Sequence, residues 1–352
     1  MTLIFCSLAL LASFYLLAVI CDRYFVDSLD KIAKKLKMNS DMAGATFMAV
    51  GSSAPELFVA IIALFKPGNE AIGAGTIVGS ALFNILVIIG VTAMVKKAVI
   101  SWQPVIRDVI FYSASIIWLL IAFSDGTVDL MEAIVFVSSY VVYVLAVLYW
   151  RKILPYQDNG KDESIQEVVE AVDEKRGILA KLKRGIDKFL DFIFPKAEKY
   201  WLVFFVSISM IALLSYVLVE SAVVMAEILQ IPSVIIGLTI LAVGTSIPDL
   251  ISSIIVAKQG RGGMAISNAL GSNIFDIFIG LGLPWLLYIL IYGKNVAVVT
   301  ENLNSSIVLL FATVVAILFL LIIRRWKIGK YSGLFLITLY ITYVVWAIIQ
   351  AV

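Results

Sequence analysis

The stretch GSSAPEL at residues 51–57 lies inside a long apolar run, and nearly the same phrase returns as GTSIPDL at residues 244–250. Each phrase puts a proline and a carboxylate in the middle of a membrane-length segment. Pro55 and Pro248 have no N–H, and each ring clashes with the carbonyl four residues back, so a helix running through either one breaks and frees that carbonyl. The residues four back are Gly51 and Gly244, which tolerate distorted backbone. Irregular backbone at membrane depth persists only where it is buried in protein or lines a wet cavity. Freed carbonyls in such a place are hard oxygen ligands.

The composition fixes the solvent. Of 352 residues, 62% are hydrophobic and 15% charged, against roughly 25% charged in soluble domains. Apolar runs of about 20 residues fall near 2–21, 41–65, 71–95, 105–124, 128–150, 201–229, 233–257, 264–291, 305–323 and 331–351. The expected fold is an all-α polytopic membrane protein with ten transmembrane helices, organised as a first five-helix repeat (1–150), a loop (151–199) and a second five-helix repeat (200–352). The first run has no basic leading region and no small-residue cleavage site, so it reads as a retained helix. Cys6 and Cys21 are too few for a disulfide framework and read as packing residues. The chain has no histidine, which removes histidine metal sites and proton relays.

Aligning 44–57 on 237–250 places GATFMAVGSSAPEL over GLTILAVGTSIPDL, and one gap later GSALFN (79–84) falls on GSNIFD (271–276). Five spans separate equivalent points. Because five is odd, the second half enters the membrane with opposite polarity, giving an inverted repeat with broken helices 2 and 7, an arrangement whose site lies at the midplane.

Ser53 and Glu56 are three residues apart, as are Ser246 and Asp249; Ser80 and Asn84, and Ser272 and Asp276, are four apart. Each pair therefore shares a helix face. Together with Ser52 and Thr245 they offer three carboxylates, an amide and hydroxyls, without nitrogen or sulfur ligands. Such an all-oxygen set suits Ca²⁺ and tolerates Na⁺. A carboxylate near the bilayer centre costs roughly 2.5–3.5 kcal/mol, and no Lys or Arg lies in these spans to pair with Glu56, Asp249 or Asp276. Gly75 and Gly79 are spaced for close helix packing, while Asp129, Glu132, Glu220 and Glu227 lie toward span ends and read as solvated.

Loops after spans 1, 3, 5, 7 and 9 carry 5, 3, 11, 2 and 4 Lys or Arg, against Lys66 and Lys294 opposite. The termini are expected outside and the long loop in the cytoplasm. Within that loop DNGKDESIQEVVEAVDEKR (158–176) is mixed-charge. The following GILAKLKRGIDKFLDFIF (177–194) spaces Ile178, Leu182, Ile186, Phe189 and Ile193 at helical intervals, with Lys181, Arg184 and Lys188 between them. It reads either as an amphipathic helix on the inner leaflet or as a linker helix tethering the halves.

At these residues the sequence resembles the cation/Ca²⁺ exchanger superfamily, whose two alpha repeats carry G-[ST]-S-x-P-[ED]. GTIVGSALFNIL (75–86), IPSVIIGLTILAVGTSIPDL (231–250) and GSNIFDIFIGLGLPW (271–285) are most similar to the Na⁺/Ca²⁺ exchangers, in particular their potassium-dependent branch. The resemblance implies that Glu56 and Asp249 bind Ca²⁺ directly and alternately share Na⁺. It further implies sodium ligands from hydroxyls of Ser53, Ser80, Ser246 and Ser272, from side chains of Ser52, Asn84, Thr245 and Asp276, and from carbonyls of Ala49 and Ala242. Alternating access would come from spans 1 and 6 sliding across the core. Three departures bear on this. The loop is too short for the calcium-sensing domains of large animal exchangers. Asp276 resembles the potassium-dependent branch, yet some microbial exchangers that ignore potassium carry Asp there. SSAPE departs from the cation/proton members, which typically place Asn before the acid.

The expected activity is secondary antiport of Na⁺ against Ca²⁺, with Ca²⁺ extrusion driven by the sodium gradient, potassium coupling open and Ca²⁺/H⁺ antiport as the alternative. No enzyme activity, cofactor, nucleic acid or required protein partner is expected; the partners are the ions and the lipid bilayer of the cell membrane. An intramembrane aspartyl protease would need YD and GxGD motifs, which are absent. A cation channel with an acidic ring has similar ligand chemistry, but the inverted repeat argues against it.

Overall fold

Without water to satisfy them, the backbone polar groups of a membrane chain must close their hydrogen bonds within each segment, and most of the described residues are helical. The computed structural model describes residues 1–35, 49–154, 178–258, 260, 262–298 and 303–351. Among the described residues, 9 helices are long and apolar enough to cross a membrane: Thr2–Leu29, Ala71–Val95, Trp102–Ala122, Leu130–Trp150, Tyr200–Leu229, Ser233–Ile255, Gly262–Tyr292, Leu303–Ile323 and Lys330–Ile349. Ala54–Leu64 supplies the later part of span 2. Its expected beginning, with the 44–48 part of the first motif, lies outside the described residues, as does 158–176 of the long loop.

Two short strand pairs confirm the order of crossings. Strand β1 (Ala98–Val99), after span 3, pairs antiparallel with β4 (Lys327–Ile328), after span 9, whereas β2 (Thr127–Val128), after span 4, pairs with β3 (Val296–Ala297), after span 8. Pairing requires both partners on one face of the membrane. An even number of crossings separates the members of each pair, as ten spans demand, and the twofold relating the repeats exchanges one pair for the other. The aromatic packing repeats too: Tyr140 meets Phe275 edge-on at 5.4 Å, and Tyr340 meets Phe83 at 5.5 Å.

Spans 3, 7 and 8 are the most buried. Spans 3 and 7 cross backbone to backbone, because a Cβ on Gly79 would run into the Leu238 carbonyl oxygen and one on Gly237 would stand 2.7 Å from that of Ile72. The close-packing role expected of Gly75 and Gly79 holds.

The apolar interior divides in two. One cluster joins spans 3–5 and 8–10; the other joins spans 1 and 6 with the helix Ile178–Ile193 and contacts span 2 through Ala54, Val59 and Ala63. Span 1 runs past its expected end at 21, continuing through a π-helical segment, Cys21–Val26, into Asp27–Lys35. Cys6 and Cys21 are buried and unlinked.

Two readings of the sequence need correction. Arg107, counted with the loop after span 3, lies inside helix Trp102–Ala122 and is buried, with Nε donating to Asp108 at 2.8 Å. Asp108 also accepts from Tyr143 and Ser267, so a buried polar cluster ties spans 4, 5 and 8. Gly51 and Gly244 do not distort the backbone, since neither has positive φ. They admit span 1: a Cβ on Gly51 would meet Val26 at 2.9 Å, and one on Gly244 would run into the Phe14 ring. The acids expected near span ends behave as read. Asp129 and Glu132 form a reciprocal cap at the start of Leu130–Ile153, and Glu220 pairs with Lys66 at 2.6 Å.

Candidate functional site

Both breaks fall two residues before proline. Ser53, between helices Ala49–Ser52 and Ala54–Leu64, has φ −95 and ψ 9; Ser246, between Ala242–Thr245 and Ile247–Lys258, has φ −83 and ψ 5. Both lie in the sparsely allowed bridge region of backbone space, where the chain turns once and resumes as helix. The turn aims the carboxylates inward. Glu56 and Asp249 sit one turn past the breaks and are 0% exposed, as are Ser53, Ser80, Asn84, Thr245, Ser246, Ser272 and Asp276; Ser52 is 8% exposed.

Two of the contacts cross the twofold: Ser246 Oγ donates to Glu56 Oε1 at 3.3 Å and Asn84 Nδ2 donates to Asp249 Oδ2 at 3.3 Å. Within the second repeat, Ser272 Oγ donates to Asp249 Oδ1 at 3.2 Å. The Ser52 hydroxyl lies 3.5 Å from that of Ser272. Thr245 faces Glu56 but donates to the Leu241 carbonyl at 3.1 Å, and Ser80 donates to that of Ile77 at 3.0 Å. Ala49 opens the helical turn ahead of the first break. The Ala242 carbonyl accepts from the Ser246 N–H at 3.3 Å, so it still serves the helix.

Several oxygens lack a partner altogether: Glu56 Oε2, both oxygens of Asp276, Ser53 Oγ and Asn84 Oδ1. The Ser53 and Ser80 hydroxyls lie beside Asp276 without forming a proper hydrogen bond to it. Buried polar atoms are almost always paired, and unpaired carboxylate oxygens are the most costly of them to leave so. Bound cations would satisfy acceptors of this kind, and such oxygen donors fit Ca²⁺ or Na⁺.

The expectation that three carboxylates converge needs refinement. Glu56, Asp249 and Asp276 feel one another electrostatically, but among the described residues no three His, Cys, Asp or Glu side chains are close enough to hold one metal ion. The helix geometry explains why. Asp276 stands four residues beyond Ser272, about 6 Å along span 8, so Ser272 reaches Asp249 while Asp276 faces Ser53 and Ser80. Neutral oxygens must complete any coordination shell.

Reading by motif missed Asn273. It is fully buried, accepts from Asn84 Nδ2 at 2.9 Å and donates to the Ala81 carbonyl at 3.1 Å. Ala81 is its own counterpart in the other repeat, so the comparison that found the remaining residues passed over it. Tyr112 and Tyr140 were also missed. Both hydroxyls are buried within electrostatic reach of Asp276; that of Tyr112 lies beside Asn273 without forming a proper hydrogen bond to it, and that of Tyr140 has no partner.

With this geometry in place, the chain can be set beside known proteins. A sequence profile described as sodium/calcium exchanger protein matches residues 6–149 and 199–349. Among similar proteins, sodium/potassium/calcium exchanger 4 of Homo sapiens is 29% identical over 97% of this chain and 80% of its own length. Sodium/potassium/calcium exchanger 2 of Homo sapiens is 30% identical over 94% and 76%. In fold, the chain is similar to the sodium-calcium exchanger NCX_Mj, with a TM-score of 0.59, 23% identity and coverage of 97% of this chain and 98% of that one. The profile covers both repeats, with the two motifs and every residue of the candidate site inside it, so the chain belongs to the sodium/calcium exchanger protein family.

Proposed function

We propose that this protein is an antiporter in which Na⁺ entering down its gradient displaces Ca²⁺ from shared carboxylates and drives it outward. The observation that carries this reading is the set of buried, unpartnered oxygens on Glu56, Asp276, Ser53 and Asn84 at the helix breaks. Glu56 and Asp249 take Ca²⁺, with the hydroxyls of Ser53, Ser80, Ser246 and Ser272 nearby. Ser52, Asn84, Thr245 and Asp276, with the carbonyls of Ala49 and Ala242, complete the sodium positions. The named similarity to sodium/potassium/calcium exchangers and the extra carboxylate at Asp276 support a potassium ion in the cycle.

Coupling follows from competition for one site. A ligand shifts the inward and outward states only through differential affinity for them. An unloaded site would carry uncompensated carboxylates through the dry intermediate, which is costly, so the unloaded protein does not switch readily. Spans 1 and 6 form the moving part, since they share an apolar cluster apart from the main one and span 1 touches the breaks through Gly51 and Gly244. Both termini face outside and the long loop faces the cytoplasm, a reading supported by the lysine and arginine distribution.

The test is radioactive calcium uptake into sodium-loaded proteoliposomes diluted into sodium-free medium, with and without potassium and a proton gradient. Uptake that requires internal sodium supports the reading, and a further requirement for potassium assigns the third ion. Uptake that ignores sodium and follows the proton gradient would overturn the assigned driving ion.

A further inference from the structure

Span 4 carries a charge pair that the ion site does not use. Arg107 is 6% and Asp108 0% exposed, both inside helix Trp102–Ala122. Arg107 Nε and Nη2 each lie 2.8 Å from Asp108 Oδ1, so the carboxylate is neutralised within its own span, which offsets the cost of carrying it into a bilayer. It still takes two donors from other spans. The Tyr143 hydroxyl donates to Oδ1 at 3.2 Å, and the Ser267 hydroxyl donates to Oδ2. Hydrogen bonds to an ionised acceptor are the strong ones, and with the charge already answered, what these two add is position.

Both donors bear on span 8. Ser267 stands on that span itself, about 7.5 Å before Ser272 and about 13 Å before Asp276 at the usual helical rise. The Tyr143 hydroxyl reaches the same face one turn later, 3.5 Å from where a Cβ on Gly271 would stand. Tyr140, on the same side of span 5 as Tyr143, meets Phe275 edge-on at 5.4 Å and lies within electrostatic reach of Asp276. Ser267, Gly271 and Phe275 recur every fourth residue, so Asp108 and span 5 grip one stripe of span 8 on its way into the site. Ser272 and Asp276 directly follow two of the gripped residues in the chain, and Ser272 donates to Asp249 at 3.2 Å.

The other repeat has the tyrosines without the charge. Tyr340 meets Phe83 at 5.5 Å, just ahead of Asn84, and Tyr343 has Ser306 beside it. Ser267 and Gly271 correspond there to Gly75 and Gly79, which pack on the backbone of span 7. Span 3 is set by close packing and span 8 by a buried carboxylate. We propose that Asp108 is a positioning residue for ion binding: it touches no ion, but through Ser267 and Tyr143 it sets the depth and rotation of span 8, and with them Ser272 and Asp276. The effect on ion affinity rests on the exchanger reading above; the hold on span 8 does not.

Two measurements test it. Tyr143→Phe with Ser267→Ala removes both donors and leaves the charge pair whole. In sodium-loaded proteoliposomes this double variant should raise the calcium concentration for half-maximal uptake about tenfold, equivalent to about 1.4 kcal/mol, and keep its maximal rate within about twofold of wild type. Each substitution alone should act in the same direction to a smaller extent. Tyr343→Phe with Ser306→Ala, the matching deletion in the other repeat, should change neither quantity. An unchanged half-saturation, an equal rise in both double variants, or a loss confined to the maximal rate overturns the role in ion binding. Span 8 itself is read from spin labels at Met131→Cys and Met264→Cys in a Cys6→Ala, Cys21→Ala background; both positions are exposed, one on span 5 and one on span 8. Their distance distribution should shift or broaden by about 1.5 Å or more, one residue of helical rise, when Tyr143 and Ser267 lose their hydroxyls, and hold when Tyr343 and Ser306 lose theirs. A distribution that does not move overturns the hold on span 8, whatever the protein transports. If wild type takes up no calcium, the exchanger reading fails, and the labels still decide the hold on span 8.

Discussion

Asp249 and Glu56 hold equivalent places in two inverted repeats, but their surroundings differ. Asp249 accepts from Ser272 at 3.2 Å and from Asn84 at 3.3 Å, with Ser52 beside it, whereas Glu56 accepts from Ser246 at 3.3 Å, with Thr245 beside it, and keeps an oxygen without a partner. Part of the difference is that Ser272 donates to Asp249 while its counterpart Ser80 donates to the Ile77 carbonyl; the rest traces to one exchange of residue type. Asn84 of the first repeat is an amide that donates to the acid of the second; its counterpart, Asp276, is a carboxylate and cannot donate to Glu56. One half of the site is closed by protein donors, and the other requires positive charge from outside the protein.

The largest effects should come from removing the acids that the halves share. Glu56→Gln and Asp249→Asn should each abolish sodium-driven calcium uptake. Glu56→Gln should also raise the melting temperature without calcium, because it removes a buried charge that lacks a partner. Calcium should stabilise wild type through binding and leave Glu56→Gln unchanged; wild-type uptake in either variant would sink the assignment. Asp276→Asn should make the halves alike. Its amide can donate to Glu56 as Asn84 does to Asp249, so the variant should carry one fewer positive charge per cycle and lose any response to potassium, as read from the reversal potential of exchange. An unchanged reversal potential would mean that the asymmetry plays no part in coupling.

Smaller effects should mark the borders of the site. Gly244→Ala drives a methyl group into Phe14, at about 1–3 kcal/mol for overpacking, and should slow exchange. Adding Phe14→Ala should restore much of the rate, whereas equal loss in the double variant would place the defect in the helix break itself. Asn273→Ala removes two hydrogen bonds across the twofold. It should cost about 1–3 kcal/mol of stability, seen as a lower melting temperature, and loosen Asn84 enough to weaken calcium affinity.

Much of this was legible before any coordinates. A proline and an acid repeated at membrane depth are too costly to be incidental, and the repeat identified Ser53, Glu56, Ser80, Asn84 and their counterparts. What it could not show was whatever breaks the repeat or comes from elsewhere in the fold. Asn273 sits opposite an alanine, so a search for likeness discards it. Tyr140 and Tyr340 look like ordinary membrane aromatics until their rings are seen against Phe275 and Phe83. Arg107 near a span end counts as a loop charge until Asp108 beside it proves buried. The roles of Gly51 and Gly244 depend on where span 1 passes, which no local pattern encodes.

The cross-repeat contacts also govern biogenesis. The hydrogen bond from Ser246 to Glu56 joins residues 190 apart in the chain, and that from Asn273 to Ala81 joins residues 192 apart. At about 5–20 residues per second, the ribosome needs on the order of 10–40 s to deliver the second partner after the first has entered the membrane. Through that interval Glu56 stands in the translocon or bilayer without its final neighbour. The first repeat must therefore be held by the insertion machinery, or kept protonated, until its inverted twin arrives.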